Sequence, residues 1–216
     1  MAIYLCSEPE ILIARGAEHA QRGLVVLLTD GESALTAPLT AANDELIVVD
    51  IHGPRLSRLN FDALALAIFD LQPETLLSSG GRRLVEALGR LATDELNVAF
   101  IGPAVGLTGG LLEDGITAGL NLIPGTVVIP AIQATADLQT LLARLSTHGT
   151  RLLALDAPVC LHYDQQADTV TVADAALDGD ERKGSALMVA FRATEDGEAP
   201  TARLHALTIG MTRGWP

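Results

Sequence analysis

Leu96-Asn97-Val98-Ala99-Phe100-Ile101-Gly102-Pro103-Ala104-Val105-Gly106 is the stretch on which the fold turns. Its first six residues form an apolar run of strand length. Gly102-Pro103 breaks the run, and the residues beyond the break read as the start of a helix. A strand, a sharp glycine-bearing turn and a helix make the repeating unit of a parallel α/β sheet.

The unit recurs upstream. Ile3 to Cys6 reads as a strand, followed by a helix from Pro9 to Gln21 with Ser7 as its cap and Gly23 beyond its end. Leu24 to Leu28, closed by Thr29-Asp30-Gly31, and Leu46 to Ile51 are apolar without alternation, as buried parallel strands are. Asn60 then caps an expected helix from Phe61 to Phe69, with Leu64, Ala65 and Ile68 on one face. Glu74 to Ser79 reads as a strand entering Gly80-Gly81, and Arg82 to Leu91 as a helix carrying Leu84, Val85, Leu88 and Leu91.

Downstream, Gly125 to Pro130 is a strand and Thr135 caps a helix running to Leu145. Arg151 to Leu155 returns to strand. Val159 to Tyr163, Thr169 to Ala173, Ala186 to Arg192 and Arg203 to Ile209 follow with short polar connections, the pattern of an antiparallel meander. The expected fold is one α/β domain over residues 1–216. It has a mostly parallel central sheet with helices on both faces (1–155) and an antiparallel extension (156–216).

Composition narrows the function. Of the 216 residues, 49% are hydrophobic and 19% charged, which excludes intrinsic disorder. Only 3% are aromatic, so the core must come from Ala, Val, Leu and Ile. The net charge of −13 argues against nucleic acid and against anionic membranes, since both recruit Lys and Arg. No apolar run reaches the ~18 residues of a membrane span. The first residues lack a secretory pattern, so the expected compartment is the cytoplasm. Lys183 is the sole lysine, a bias toward arginine that carries no functional reading. Cys6 and Cys160 read as buried thiols acting as small apolar groups, neither a disulfide scaffold nor a metal cage. His19, His52, His148, His162 and His205 have no ligand spacing, so no metal and no cofactor are expected. A positive mean hydropathy of +0.33 suggests self-association, as a dimer.

Ligands of open α/β sheets bind beyond the carboxyl ends of the strands. Four ends matter: Thr29-Asp30-Gly31, Ser78-Ser79-Gly80-Gly81, Gly102 to Gly106, and Asp156-Ala157-Pro158. The third has the layout of a nucleophile elbow, which presents a Ser or Cys beside oxyanion-binding N–H groups. Here it contains no Ser, Cys or Thr; Thr108 lies two residues further on.

The Gly-Gly turn, the elbow and Gly119-Leu120-Asn121-Leu122-Ile123-Pro124-Gly125, in this order, resemble the cyanophycinase and dipeptidase E family of serine peptidases. The resemblance runs from about Leu24 to Ala173 and implies a flavodoxin-like fold, similar to the class I glutamine amidotransferase domain. It also implies a serine, a histidine base and a substrate-facing Gln, and the matching positions lack them. The Gly-Gly pair is followed by Arg82-Arg83; the nucleophile position falls on Pro103; the segment bearing the base falls on Pro130-Ala131-Ile132 or, in a shifted register, Ala131-Ile132-Gln133, so the base position is Ala131 or Ile132. Of the acidic pair, Asp156 is present and Ala157 replaces the second. Proline has neither hydroxyl nor N–H, so Pro103 removes the attacking atom and a backbone donor together.

No confident catalytic residue remains. Ser79, Thr108, His52 and Asp156 are the displaced alternatives beside the degenerate elbow positions Pro103 and Ala104, and the structural reading of each is ordinary turn or strand-end bonding. Gly80, Gly81, Arg82, Gly102 and Val105 are the candidate ligand-binding residues, a helix start with arginine being suited to an anion. Arg82 and Arg83 read equally as a solvated helix start. Three functions stay open: a non-catalytic relative of the peptidases that binds a small molecule or peptide or acts as an assembly partner, a hydrolase acting through displaced residues, and a structural oligomerising domain.

Overall fold

The computed structural model describes residues 2–7, 9–60, 63–90, 96–131, 138–148, 150–156, 159–173, 184–192 and 201–216. The strands are β1 (Ala2–Cys6), β2 (Leu24–Thr29), β3 (Ile47–Asp50), β4 (Leu64–Asp70), β5 (Asn97–Ile101), β6 (Gly109–Leu111) and β7 (Ile123–Ile129). They continue with β8 (Arg151–Asp156), β9 (Cys160–Asp164), β10 (Thr169–Ala173), β11 (Ser185–Arg192), β12 (Thr201–Thr208) and β13 (Thr212–Gly214). The helices are α1 (Pro9–Ala20), α2 (Thr36–Ala42), α3 (Ser79–Arg90) and α4 (Leu138–His148).

The strands form two sheets. The larger has eight strands in the order β13-β10-β9-β1-β5-β4-β2-β3, of which β1, β5, β4, β2 and β3 run parallel. The smaller has five in the order β12-β11-β8-β7-β6, with β6, β7 and β8 parallel. Every strand after β8 is antiparallel to its neighbours, as the sequence reading expects. The extension is divided, however: β9, β10 and β13 widen the first sheet, while β11 and β12 widen the second.

Strand alternation explains why two sheets are stable together. Ile3, Leu5, Val26, Leu28, Ala67, Phe69, Val98 and Phe100 share one core with Val128, Leu153, Leu155 and Met188 of the other sheet. Their chain neighbours point the opposite way. Val25, Leu27, Leu66, Ile68 and Ala99 pack with Ile11 and Leu12 of α1 and Leu39 of α2. Val127, Ile129, Leu152 and Ala154 pack with Leu141 and Leu145 of α4. Strands in the middle of such a stack are apolar on both faces, which is the continuous pattern in the sequence.

Three expectations need correction. The segment from Phe61 to Phe69 is no helix where it is described: Leu64–Asp70 is β4, buried between β2 and β5. An apolar run of this length fits a buried strand and a helix face equally well, so periodicity cannot decide. Glu74 to Ser79 is no strand; Pro73–Leu77 is a 3-10 helix and α3 begins directly after it. Its local bonds favour the turn: the Asp30 carboxylate accepts from the Gln72 N–H at 2.8 Å and from the Thr75 hydroxyl. Finally, Cys6 and Cys160 are buried as expected but do not stay thiols; they face one another across β1 and β9 and form a disulfide. Their distance in sequence conceals that the topology makes them neighbours.

Candidate functional site

A cavity of about 660 Å³ opens at the carboxyl ends of the strands. Ser7 after β1, Pro73 after β4, Gly102 and Pro103 after β5, and Pro130 and Ala131 after β7 all line it. Leu107, Leu112 and Val128 supply apolar wall, and Glu113 and Asp114 close one side. The location is the one that open α/β sheets reserve for ligands.

The turn after β5 is the centre of this site. Gly102 has φ +54°, in the left-handed region that costs a residue with a side chain about 1–2 kcal/mol. A Cβ built there would meet nothing within 4 Å, so the position opens onto the cavity. Gly102–Thr108 is a single 3-10 helix. Pro103 is exposed at its start, whereas Ala104 and Val105 are fully buried beneath and do not line the cavity. The Thr108 hydroxyl is fully buried and donates to the Val105 carbonyl at 2.7 Å, so it is committed to its own turn.

The hydroxyl of Ser7 is also committed. It donates to the Val159 carbonyl at 3.1 Å and accepts from the Val159 N–H at 2.8 Å, while the Ser7 N–H donates to the same carbonyl at 2.9 Å. These bonds tie the end of β1 to the residue that precedes β9. The acidic wall is a closed loop: the Leu112 N–H donates to the Thr117 carbonyl, and the Gly115 N–H to the Leu112 carbonyl, each at 2.8 Å. The hydroxyl of Thr117 holds the Asp114 carboxyl below the usual carboxylate range, against the opposing effect of burial. The N–H groups of Ile116 and Thr117, and then Arg144, act in the same direction. Arg144 also donates to the Asp114 carbonyl at 3.0 Å and ties the loop to α4.

The remaining candidates gather elsewhere. Ser78 caps α3: its Oγ accepts from the Gly81 N–H at 3.0 Å and donates to the Thr75 carbonyl at 2.6 Å. Gly80 and Gly81 are buried, and a Cβ at Gly80 would lie 2.9 Å from His52 Nδ1 and 3.1 Å from the Ile51 carbonyl. The glycine lets α3 start against the exit of β3. His52, Ser79, Arg82 and Arg83 are exposed around that contact, and none of them lines the cavity. The Arg83 Nε donates to the Ser79 carbonyl at 3.3 Å. Asp156 ends β8 and accepts from the Ser185 hydroxyl at 3.1 Å. Ile132, Gln133, Ala157 and Pro158 lie outside the described residues.

Sequence reasoning missed Ser7, Pro73, Glu113 and Asp114. Ser7 follows an apolar strand just as Asp30 and Gly102 do, so the strand-end rule could have found it. Among the described residues, no group of three or more His, Cys, Asp or Glu could hold a metal ion, and no helix is long and apolar enough to cross a membrane.

No protein-family model matches the chain, and no curated protein matches it significantly in sequence. Solved structures match it in fold. The chain is similar to the crystal structure of a "Putative Peptidase E Protein from Listeria monocytogenes EGD-e", with a TM-score of 0.53. The fold is shared. At 11% sequence identity, over 74% of this chain and 93% of that one, the likeness concerns architecture alone.

Proposed function

We propose that this protein is a non-catalytic binding protein built on a peptidase E-type fold, and that the cavity at the strand ends holds a small molecule or short peptide. One observation carries the reading. In the turn after β5 the left-handed position is Gly102 and the position matching the family's nucleophile is Pro103, so the backbone meets the cavity with no attacking atom on either residue. The lining supports it: the Ser7 hydroxyl is bonded twice to Val159, and no thiol or imidazole lies among the described lining residues. Mostly apolar walls with a few polar groups are the usual character of a small-ligand site.

The test is to incubate the unmodified protein with Asp-X and β-aspartyl dipeptides and to follow binding by calorimetry and cleavage by chromatography. Saturable binding without turnover is expected, and Pro103→Ser should add no turnover because no imidazole base lines the cavity among the described residues. Robust cleavage abolished by a serine-directed phosphonate would overturn the proposal. A second reading, a displaced hydrolase, rests on His52 lying against the start of α3 beside Ser79. Phosphonate labelling lost in Ser79→Ala would favour it.

A further inference from the structure

We propose that the outer edge of β12 pairs with the same edge of a second copy of this chain, antiparallel about a two-fold axis at Leu204. β12 is the terminal strand of the smaller sheet, and all eight of its residues are registered on β11 along one side only. An edge of this length, with no further strand on its outer side among the described residues, is a template for another strand.

The side chains identify the partner as the same strand. Leu204, opposite Val189, stands 59% exposed on the face that α4 covers further in. Ala202 and Ala206 lie on that face too, opposite the partly buried Phe191 and Leu187. Ala202-Arg203-Leu204-His205-Ala206 is chemically palindromic about Leu204. A two-fold antiparallel pair sets each residue against its mirror position, so Leu204 meets Leu204 of the copy, Ala202 meets Ala206, and Arg203 meets His205. The apolar stripe then continues from one copy into the next, and cross-strand apolar pairs stabilise such a ribbon.

Charge permits the approach. The chain carries −13 overall, but Thr201 to Pro216 contains Arg203, His205 and Arg213 and no acidic residue. Along β12 itself two copies therefore meet without opposing carboxylates. One strand pair and one side-chain stripe bury less than the ~1,200–2,000 Å² of a permanent interface, so the dimer belongs to the weak, concentration-dependent class.

Sedimentation of the unmodified protein up to about 200 µM, the range for a weak interface, should show a reversible monomer–dimer equilibrium. Leu204→Arg should weaken it at least about tenfold, a loss on the scale of one interface anchor, with circular dichroism and thermal unfolding unchanged. Leu204→Cys should give an oxidised covalent dimer, whereas Ala202→Cys and Ala206→Cys should cross-link when mixed and not singly. A monomer throughout the range, a dimer indifferent to Leu204→Arg, or cross-links in another register would each overturn the proposal. So would capture of a different protein's strand at this edge with no self-association.

Discussion

Cys6 and Cys160 sit opposite one another on adjacent antiparallel strands, their Cα atoms 4.1 Å apart and both side chains without solvent exposure. The next rung is the triple hydrogen bond between Ser7 and Val159 at the edge of the cavity. The two rungs tie the end of the first strand to the start of the extension.

The disulfide closes a sequence separation of 154 residues. Loop-closure entropy for a loop of that size corresponds to about 5 kcal/mol, with about 2–4 kcal/mol usual in practice. Cys160→Ser is expected to lower unfolding stability by an amount in this range, measured in urea with and without reductant. Alkylation of the denatured, unreduced protein should find no free thiol; two free thiols would refute the pairing.

Gly102 and Gly80 are expected to respond differently to alanine. At Gly102 the space is open and only φ +54° resists, so Gly102→Ala should cost about 1–2 kcal/mol and Gly102→Asn less, since asparagine tolerates this region. At Gly80 the added Cβ meets the Ile51 carbonyl and His52, so α3 must shift. Chemical denaturation with a chemical-shift map around His52 separates the two.

Asp30 holds the 3-10 helix that carries Pro73 to the cavity, through the Gln72 N–H and the Thr75 hydroxyl. Asp30→Ala should destabilise by about 1–2 kcal/mol, the usual loss for a cap-like carboxylate. It should also raise the Kd of any cavity ligand. Equal affinity in variant and wild type would disconnect this helix from the site.

Two groups should shape the pH profile. Burial, and then the Asp168 carboxylate that accepts its proton at 2.8 Å, push the Tyr163 phenol above its ordinary range. Its contribution is complete below pH ~10 and is lost as pH rises toward the folded value. Tyr163→Phe should therefore flatten the alkaline limb of urea stability. Asp114 is shifted the other way, so its contribution is present above pH ~4 and lost as pH falls through the lowered folded value. Amide exchange at Ile116 and Thr117 should accelerate on that acid limb in wild type, and at neutral pH already in Asp114→Ala.

Much of this architecture was legible because buried parallel strands have no exposed face. Leu24-Val25-Val26-Leu27-Leu28 can only be a strand of an enclosed sheet or a piece of core helix, and the turn Thr29-Asp30-Gly31 decides for the strand. The same absence of alternation misled at Leu64–Asp70, where Asn60 imitates a cap. The split into two sheets was not legible at all. It depends on where β11 finds its partner, and β8 and β10 offer edges of similar chemistry. At the site, the strand-end rule located Gly102 and Pro103 through their own residue types. Glu113 and Asp114 arrive on a loop whose position is set by Arg144 and the Asp114 turn, contacts without a signature in local sequence.

The place of β1 between β5 and β9 has a consequence for biosynthesis. The strand is synthesised before either of its neighbours in the sheet, since β5 begins at residue 97 and β9 at residue 160. At about 5–20 residues per second, the nascent chain waits roughly 10–30 s before the second flank exists. Until then both edges of Ala2–Cys6 are open in turn, and the Cys6 thiol has no mate. A ribosome-associated holdase, or an oxidant that arrives only after release, would therefore govern how much of the newly made protein reaches the native state.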